Sequence, residues 1–492
     1  MTISEKETFR VMPREETTHS RRWWALLMLG LVQFIIVIDT TVVNVALPSI
    51  QHDLHVAVAD LAWVVDGYLL AAGGLLLLGG RLADLFGRRR LFLIGTALFA
   101  LASLSNGVAQ SPLMLIISRF AQGAGEALAS PAALSLITLL FVEKRERARA
   151  FGIWGGITGL GATVGVVLSG IILELVNWRW VFFINLPFAV AALLIVPRLI
   201  EESRAAPGKP GRIDFLGAVL VTGGLIAVVD GLFAAARFAW SDGNVLVPLL
   251  GGLGALLAFV LVEARSAEPL MPLRFFANRT RATANLLTVF LNSALMVMFF
   301  ILTLYMQNIL GYTALSTGVA YLPFCITFPL GVFLSIWLAQ HAGIKLVLVI
   351  AFLISALGLL LLSRISVQSS YSMQVLPAML MLAVGFGMAL PTLQNAAVDG
   401  VSQQNAGLAS GMQNTVQALG AALGLATLVT IALRDQGDLL AQGILPQLAA
   451  TESYQLAFSL GAIILAVGAV LSLLLIQGRQ TGSTLGRKAQ PE

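Results

Sequence analysis

Charge is scarce in this chain. Asp, Glu, Lys and Arg make up 11% of its 492 residues, against about 25% in soluble proteins. With 58% hydrophobic residues and a mean hydropathy of +0.88, a soluble globular protein is excluded. Cysteine is nearly absent: Cys325 stands alone, which rules out an intrachain disulfide. Histidine is rare too. His19, His52, His55 and His341 fall in tail or loop positions, and the His52/His55 pair has no further ligand nearby, so no metal site is expected. No G-x-x-x-x-G-K-[ST] pattern occurs, which argues against ATP as an energy source. The lack of H-E-x-x-H or paired Cys/His sets argues against a membrane metalloenzyme. A selective channel would have no use for buried acid and base together. Neither enzymatic activity nor a cofactor is expected.

What the chain does have is long apolar runs. Spanning a bilayer takes roughly 20 apolar residues per helix. Successive windows give fourteen candidates, near 24–48, 61–79, 91–110, 113–141, 148–173, 180–197, 213–235, 245–262, 282–308, 314–338, 344–362, 374–397, 407–433 and 455–476. The runs are continuous, which excludes a β-barrel, whose strands alternate over about ten residues. The expected fold class is an all-α polytopic membrane protein, and the even number of spans puts both termini on one side.

Loop charges orient it. Lys6, Arg10, Arg14, Arg21, Arg22, Arg81, Arg88 to Arg90, Lys144, Arg145, Arg147, Arg149 and clusters near Arg204, Arg274 and Arg479 fall on one side; the other side holds only Arg179, Arg237, Arg364 and Arg434. This asymmetry predicts both termini in the cytoplasm of a multi-pass protein of the cytoplasmic membrane. It also accounts for the pI near 9.6 without nucleic-acid binding. The first residues carry mixed charge and no small-residue cleavage site, so no removable signal peptide is expected.

The stretch EESRAAPGKPGR at 201–212 reads as a linker. The expected organisation is a cytoplasmic tail over 1–22, a six-helix bundle over 23–200, a linker with two inserted helices over 201–265, a second six-helix bundle over 266–478 and a tail over 479–492. Weak duplication supports two repeats: GGITGLGATVGVVLSGII in the fifth span and SGMQNTVQALGAALGLA in the penultimate one are both lined with small residues. Secondary transporters use this arrangement of repeats around a central cargo site.

Ionisable groups inside spans are costly and mark function. Asp39, Asp66, Arg119, Glu126 and Asp230 all lie in apolar stretches. On a helix, Arg119, Glu126 and Ser130 fall within roughly 20° of one face, with Arg119 and Glu126 about 10 Å apart along the axis. Glu126 reads as a second proton site, a group that recognises cations, or a silent acid bonded to Asn44 or Thr41. Asp66, beside Trp63 and Tyr68, suits attraction of a cationic aromatic drug, or else it is an exposed acid in an interfacial aromatic belt. Asp230 reads as structural or at the lipid edge and is kept as a low-grade candidate. The second half offers amides, among which Gln394, Gln413 and Gln417 are candidates for cavity lining; interhelical glue is the plainer reading of most of them.

Between the second and third spans runs GGRLADLFGRRR, in which Gly80, Leu82, Asp84, Gly87, Arg88 and Arg90 match G-x-L-A-D-x-x-G-R-[RK]-[RK]. With IDTTVVNVALP at 38–48, RFAQGAGEALASPAAL at 119–134 and WRWVFFINLP at 178–187, the chain resembles the major facilitator superfamily. Its fourteen spans are similar to the drug:proton antiporter branch over residues 24–476. In that loop, Gly80, Asp84, Gly87 and Arg88 are expected to form a conformational clamp, in which the carboxylate pairs with Arg88 or with the end of a neighbouring helix and locks the outward-open arrangement until the pairing breaks, although a topology anchor with a helix cap would look much the same. The resemblance implies that Asp39 and Arg119 take part in proton transfer; a purely structural Arg119, bonded to backbone carbonyls, is the alternative. One departure stands out: Val166 occupies a place where exporters commonly carry a proline, while Gly159, Gly161, Gly165 and Gly170 are kept.

The expected function is proton-coupled efflux of hydrophobic, often cationic small molecules, with protons and the lipid bilayer as the other partners and the proton gradient as driver. The alternatives are a dedicated exporter of one metabolite, lipid or self-made antibiotic, and a transport-fold protein acting as sensor or scaffold.

Overall fold

A computed structural model of the chain describes residues 19–203, 214–266, 269–271, 273–399, 401 and 406–476. The tails at 1–18 and 477–492 and most of the 201–212 stretch lie outside the described residues, as do Arg204 and Arg479. The described residues contain helices and no strand. In order they are α1 (His19–Leu54), α2 (Val58–Phe86), α3 (Arg88–Gly107), α4 (Pro112–Leu140), α5 (Lys144–Leu175), the short α6 (Trp180–Phe183), α7 (Asn185–Leu199), α8 (Phe215–Ala234), α9 (Gly243–Arg265), α10 (Arg279–Leu304), α11 (Ala314–Leu362), α12 (Leu376–Ala397), α13 (Ala406–Ala441) and α14 (Pro446–Leu475).

Among the described residues, thirteen helices are long and apolar enough to cross a membrane. One of them, α11, runs for 49 residues, about 74 Å of helix at 1.5 Å per residue and far more than a bilayer needs. It is two helices. Gly343 breaks it with φ 79° and ψ 160°, a conformation glycine adopts at little cost. The break falls between the windows 314–338 and 344–362 and restores fourteen spans. Helix starts are marked by polar side chains that satisfy free backbone donors: Ser111 accepts from Met114 N at 3.3 Å, Asp214 from Gly217 N at 2.7 Å and Asn278 from Arg281 N at 3.1 Å.

The helices pack as two groups. In the first, α2 and α3 both lie on α4, and α1 lies on α5 and α7; in the second, α11 packs on α12 and α14, and α10 on α13. Two seams join the groups, α2 against α13 and α5 against α11. In each, the fifth span of one six-span set meets the second span of the other, as a duplicated architecture requires. Small residues allow the approach. A Cβ on Gly123 would strike the Tyr68 carbonyl, which sets the spacing of α2 on α4, and one on Gly318 would meet the Val166 carbonyl across the second seam. In α5, Gly161 and Gly165 face α1 and Gly170 faces Leu315 of α11, whereas Gly159 has open space around it.

The two groups meet at the end away from the termini. At the end away from the termini, Gln307 Nε2 donates to the Val45 carbonyl at 3.0 Å, and Gly170 and Gly318 hold α5 against α11. Toward the other end, a Cβ added at Gly152, Gly155, Gly156 or Gly159 of α5 would meet nothing within 4 Å among the described residues.

Candidate functional site: a buried acid and base among the first seven helices

Asp39 is fully buried at the middle of α1, and Arg119 of α4 is 1% exposed beside it. Neither can stand uncompensated in an apolar bundle, because removing one partner of a buried pair leaves a bare charge. The Arg119 Nη1 donates to Asp39 Oδ2 at 2.5 Å. Gln122 Nε2 and Asn185 Nδ2 donate to the other oxygen, Oδ1, at 2.8 and 3.0 Å. Arg119 also spends Nε on the Val64 carbonyl at 2.8 Å and Nη1 on Gln122 Oε1 at 2.7 Å. Its guanidinium lies 4.4 Å from the centre of the Tyr68 ring, a cation–π contact made stronger by desolvation.

Gln122 is the hub. Its oxygen accepts from Arg119 and from Asn106 Nδ2 at 2.7 Å, and its nitrogen donates to Asp39 and to Ser103 Oγ at 2.8 Å. Asn185 also reaches Ser103 at 3.3 Å. The network therefore ties α1, α2, α3, α4 and α7 around one carboxylate. Gln122 and Asn185 were not singled out from sequence, though both fall inside the motifs at 119–134 and 178–187, and Gln122 follows Arg119 by one helical turn.

Glu126 lies two turns beyond Arg119, half-buried, with the Tyr68 hydroxyl beside its carboxylate. The expectation that Asn44 or Thr41 would bond it is corrected. Asn44 Nδ2 donates to the Thr40 carbonyl at 2.7 Å, and the Thr41 hydroxyl is taken by its own helix at Val37 and Ile38. Ser130, on the same face, reaches Gln33 at 3.4 Å. Arg119 meets a carboxylate as well as a backbone carbonyl, so it is more than a backbone tie.

Asp66 is fully buried, and among the described residues neither carboxyl oxygen has a hydrogen-bond partner. Its neighbour Trp63 packs against Phe120 and Phe233 at 6.0 and 5.3 Å between ring centres. Asp230 is exposed on α8, away from the Asp39 network. In the second half, Gln413 is 2% exposed and donates to Thr288 Oγ1 at 2.7 Å, an interhelical tie between α13 and α10. Gln417 is half-buried, with no partner for Nε2 among the described residues, and Gln394 is exposed. Among the described residues no group of three His, Cys, Asp or Glu is placed to hold a metal ion.

The motif after α2 builds a separate unit. Arg88 donates to Asp84 Oδ1 from Nε at 3.0 Å and from Nη2 at 2.8 Å. Gly87 turns the chain with φ 114°, a conformation that strains any residue with a Cβ. Gly80 lies against Pro131 of α4. Sequence reading missed Glu202, whose two oxygens accept from the backbone nitrogens of Arg89 and Arg90 at 3.2 and 3.1 Å, while Arg88 N donates to the Ser203 carbonyl at 3.0 Å. A carboxylate at the start of α3 is favoured by the free N–H groups and the helix dipole.

Residues 29–425 match the Major Facilitator Superfamily. The chain is 39% identical over 485 residues to the puromycin resistance protein pur8 of Streptomyces alboniger, covering 96% of this chain and 95% of that one. It is 39% identical over 409 residues to the cephamycin export protein CmcT of Amycolatopsis lactamdurans, covering 83% and 84%. A bacterial homologue of the human lysosomal transporter Spinster, solved inward-facing and unoccupied, shares the fold with a TM-score of 0.67 at 16% identity, over 93% of this chain and 98% of that one. This chain is a member of the Major Facilitator Superfamily.

Proposed function

We propose that the protein exports hydrophobic, often cationic drugs or antibiotics across the cytoplasmic membrane in exchange for protons, by rocking of the two six-helix bundles about a central cavity. The observation that carries this reading is the Asp39–Arg119 pair, buried inside apolar spans, where ionised groups are costly, and joined through Gln122 and Asn185 to five helices. Protonation of Asp39 cancels the charge that holds Arg119. Arg119 then keeps the Val64 carbonyl, the Gln122 oxygen and the Tyr68 face, and α1 is released from α4. Val45, on the same helix, meets Gln307 of the other bundle. A shift of α1 is thus passed to the contact that closes the end away from the termini.

With both termini in the cytoplasm, as the loop charges favour, that closed end is external and the conformation faces inward. Glu126, half-buried beyond Tyr68, is the group placed to attract a cationic cargo or to take a second proton. Gln417 and Gln394 are the remaining lining candidates; Asp84 and Arg88 are paired in this inward-facing arrangement, so their pairing is not confined to the outward-open state. No cofactor is needed, since the proton gradient supplies the energy.

The test is proton movement. In energised everted vesicles, adding a cationic dye or puromycin should dissipate the pH gradient through the wild type, and an unchanged gradient with continued cargo flux would contradict proton coupling. The relatives named for single antibiotics favour a second reading, a dedicated exporter of one compound. Growth protection against several unrelated dyes and antiseptics separates the two, because a dedicated exporter protects against one.

A further inference from the structure

The two inserted helices have so far no part in the cycle, yet α8 lies on both bundles. Along its length it packs on α2: Thr222 fills the space in front of Gly74, Ala218 joins Leu78 in a small apolar cluster, and Phe233 meets Trp63 edge to face at 5.3 Å. Its far end is bonded to α13 of the other bundle. Thr430 Oγ1 donates to the Leu232 carbonyl at 2.9 Å, and Arg434 Nη1 donates to the carbonyls of Ala235 and Phe238 at 3.0 and 3.1 Å. The Arg434 guanidinium also lies 5.8 Å from the Trp240 ring centre. In the same turn, Arg237 is ion-paired with Asp60, in the first turn of α2.

We propose that the turn joining α8 and α9 is a tie across the two bundles at the end away from the termini, and that Asp60–Arg237 is the contact that parts when this end opens. The reason lies in the asymmetry of its two grips. On the α13 side the turn is held by three hydrogen bonds, two of them from a charged donor to carbonyls that have otherwise finished their helix. On the α2 side the polar grip is one ion pair whose side chains are 46% and 41% exposed, and exposed pairs are weak and screened by salt. Opening this end draws the first turn of α2 away from the last turns of α13, so the exposed Asp60–Arg237 pair, the weaker of the two polar grips on the turn, parts, while α8 keeps its apolar contact with α2. The tie thus biases the resting protein toward the closed end described above.

Accessibility of the seam between α5 and α11 reads this bias without reference to cargo, so it separates failure of the tie from failure of the transport reading. Val166, 3% exposed at that seam, is replaced by Cys in a Cys325→Ser background and labelled from outside with an impermeant maleimide. Asp60→Asn and Arg237→Gln should each raise the labelling rate about two- to five-fold, and the exchange Asp60→Arg with Arg237→Asp should restore it. High salt should raise labelling with Asp60 intact and leave Asp60→Asn unchanged. Single variants that label like the parent would overturn the proposal, and so would an exchange that fails to restore the parent rate, since the effect would then not come from this pair.

Discussion

Gln122 holds Asp39 with its amide nitrogen at 2.8 Å while its amide oxygen accepts from Arg119 at 2.7 Å. One neutral side chain thus binds both members of the ion pair and fixes the distance between them. Hydrogen bonds to charged groups are worth about 1.5–3 kcal/mol, and Gln122→Leu removes one to each charge. Efflux by this variant should fall at least about ten-fold, with normal amounts of protein in the membrane. Initial rates of dye efflux from cells, set against the amount of protein in the membrane, check this. Wild-type rates would mean that Gln122 is only packing.

Asp84→Asn is expected to leave insertion intact and slow transport, because Arg88 loses the carboxylate it grips from two nitrogens. Glu202→Gln should act in the same direction more weakly, costing about 1 kcal/mol of capping at the start of α3. Turnover of purified protein in liposomes measures both, and an Asp84→Asn variant with normal turnover would dismiss the clamp.

Backbone spacing gives a stability contrast. Gly123→Ala pushes a methyl into the Tyr68 carbonyl of α2, overpacking that costs about 1–3 kcal/mol. Gly156→Ala, with nothing within 4 Å of the new carbon, should be neutral or slightly stabilising through helix propensity. Thermal unfolding of the two variants in detergent decides, and equal melting temperatures would contradict the close packing of α2 on α4.

Glu126→Gln tests cargo charge. If Glu126 attracts cations, the variant should lose efflux of cationic dyes several-fold and keep efflux of neutral antibiotics. Equal loss of both would reassign it to proton handling.

Much of this was legible in the sequence. Asp39 and Arg119 stand out because ionised groups in apolar runs are costly, and the number of spans follows from run length, with Gly343 marking the break that divides the 49-residue α11 into two of them. The amides were not legible. Gln122, Asn185 and Asn106 are uncharged, and along a transmembrane helix such residues look the same whether they glue helices or hold an acid. Only the fold, which brings residues 39, 122 and 185 to one point, distinguishes them. Glu202 was hidden for another reason: its role depends on the free N–H groups of a helix 113 residues away. Helical periodicity placed Arg119 and Ser130 on one face correctly, but the face is shared, since Arg119 turns to Asp39 and Ser130 to Gln33.

The most direct test of the account is efflux of a cationic dye from cells carrying wild type or Asp39→Asn, with and without a protonophore. Proton coupling through Asp39 predicts that the substitution and the protonophore each abolish efflux, with the variant present in the membrane at normal levels. Efflux unaffected by either would contradict it and place the energy source elsewhere.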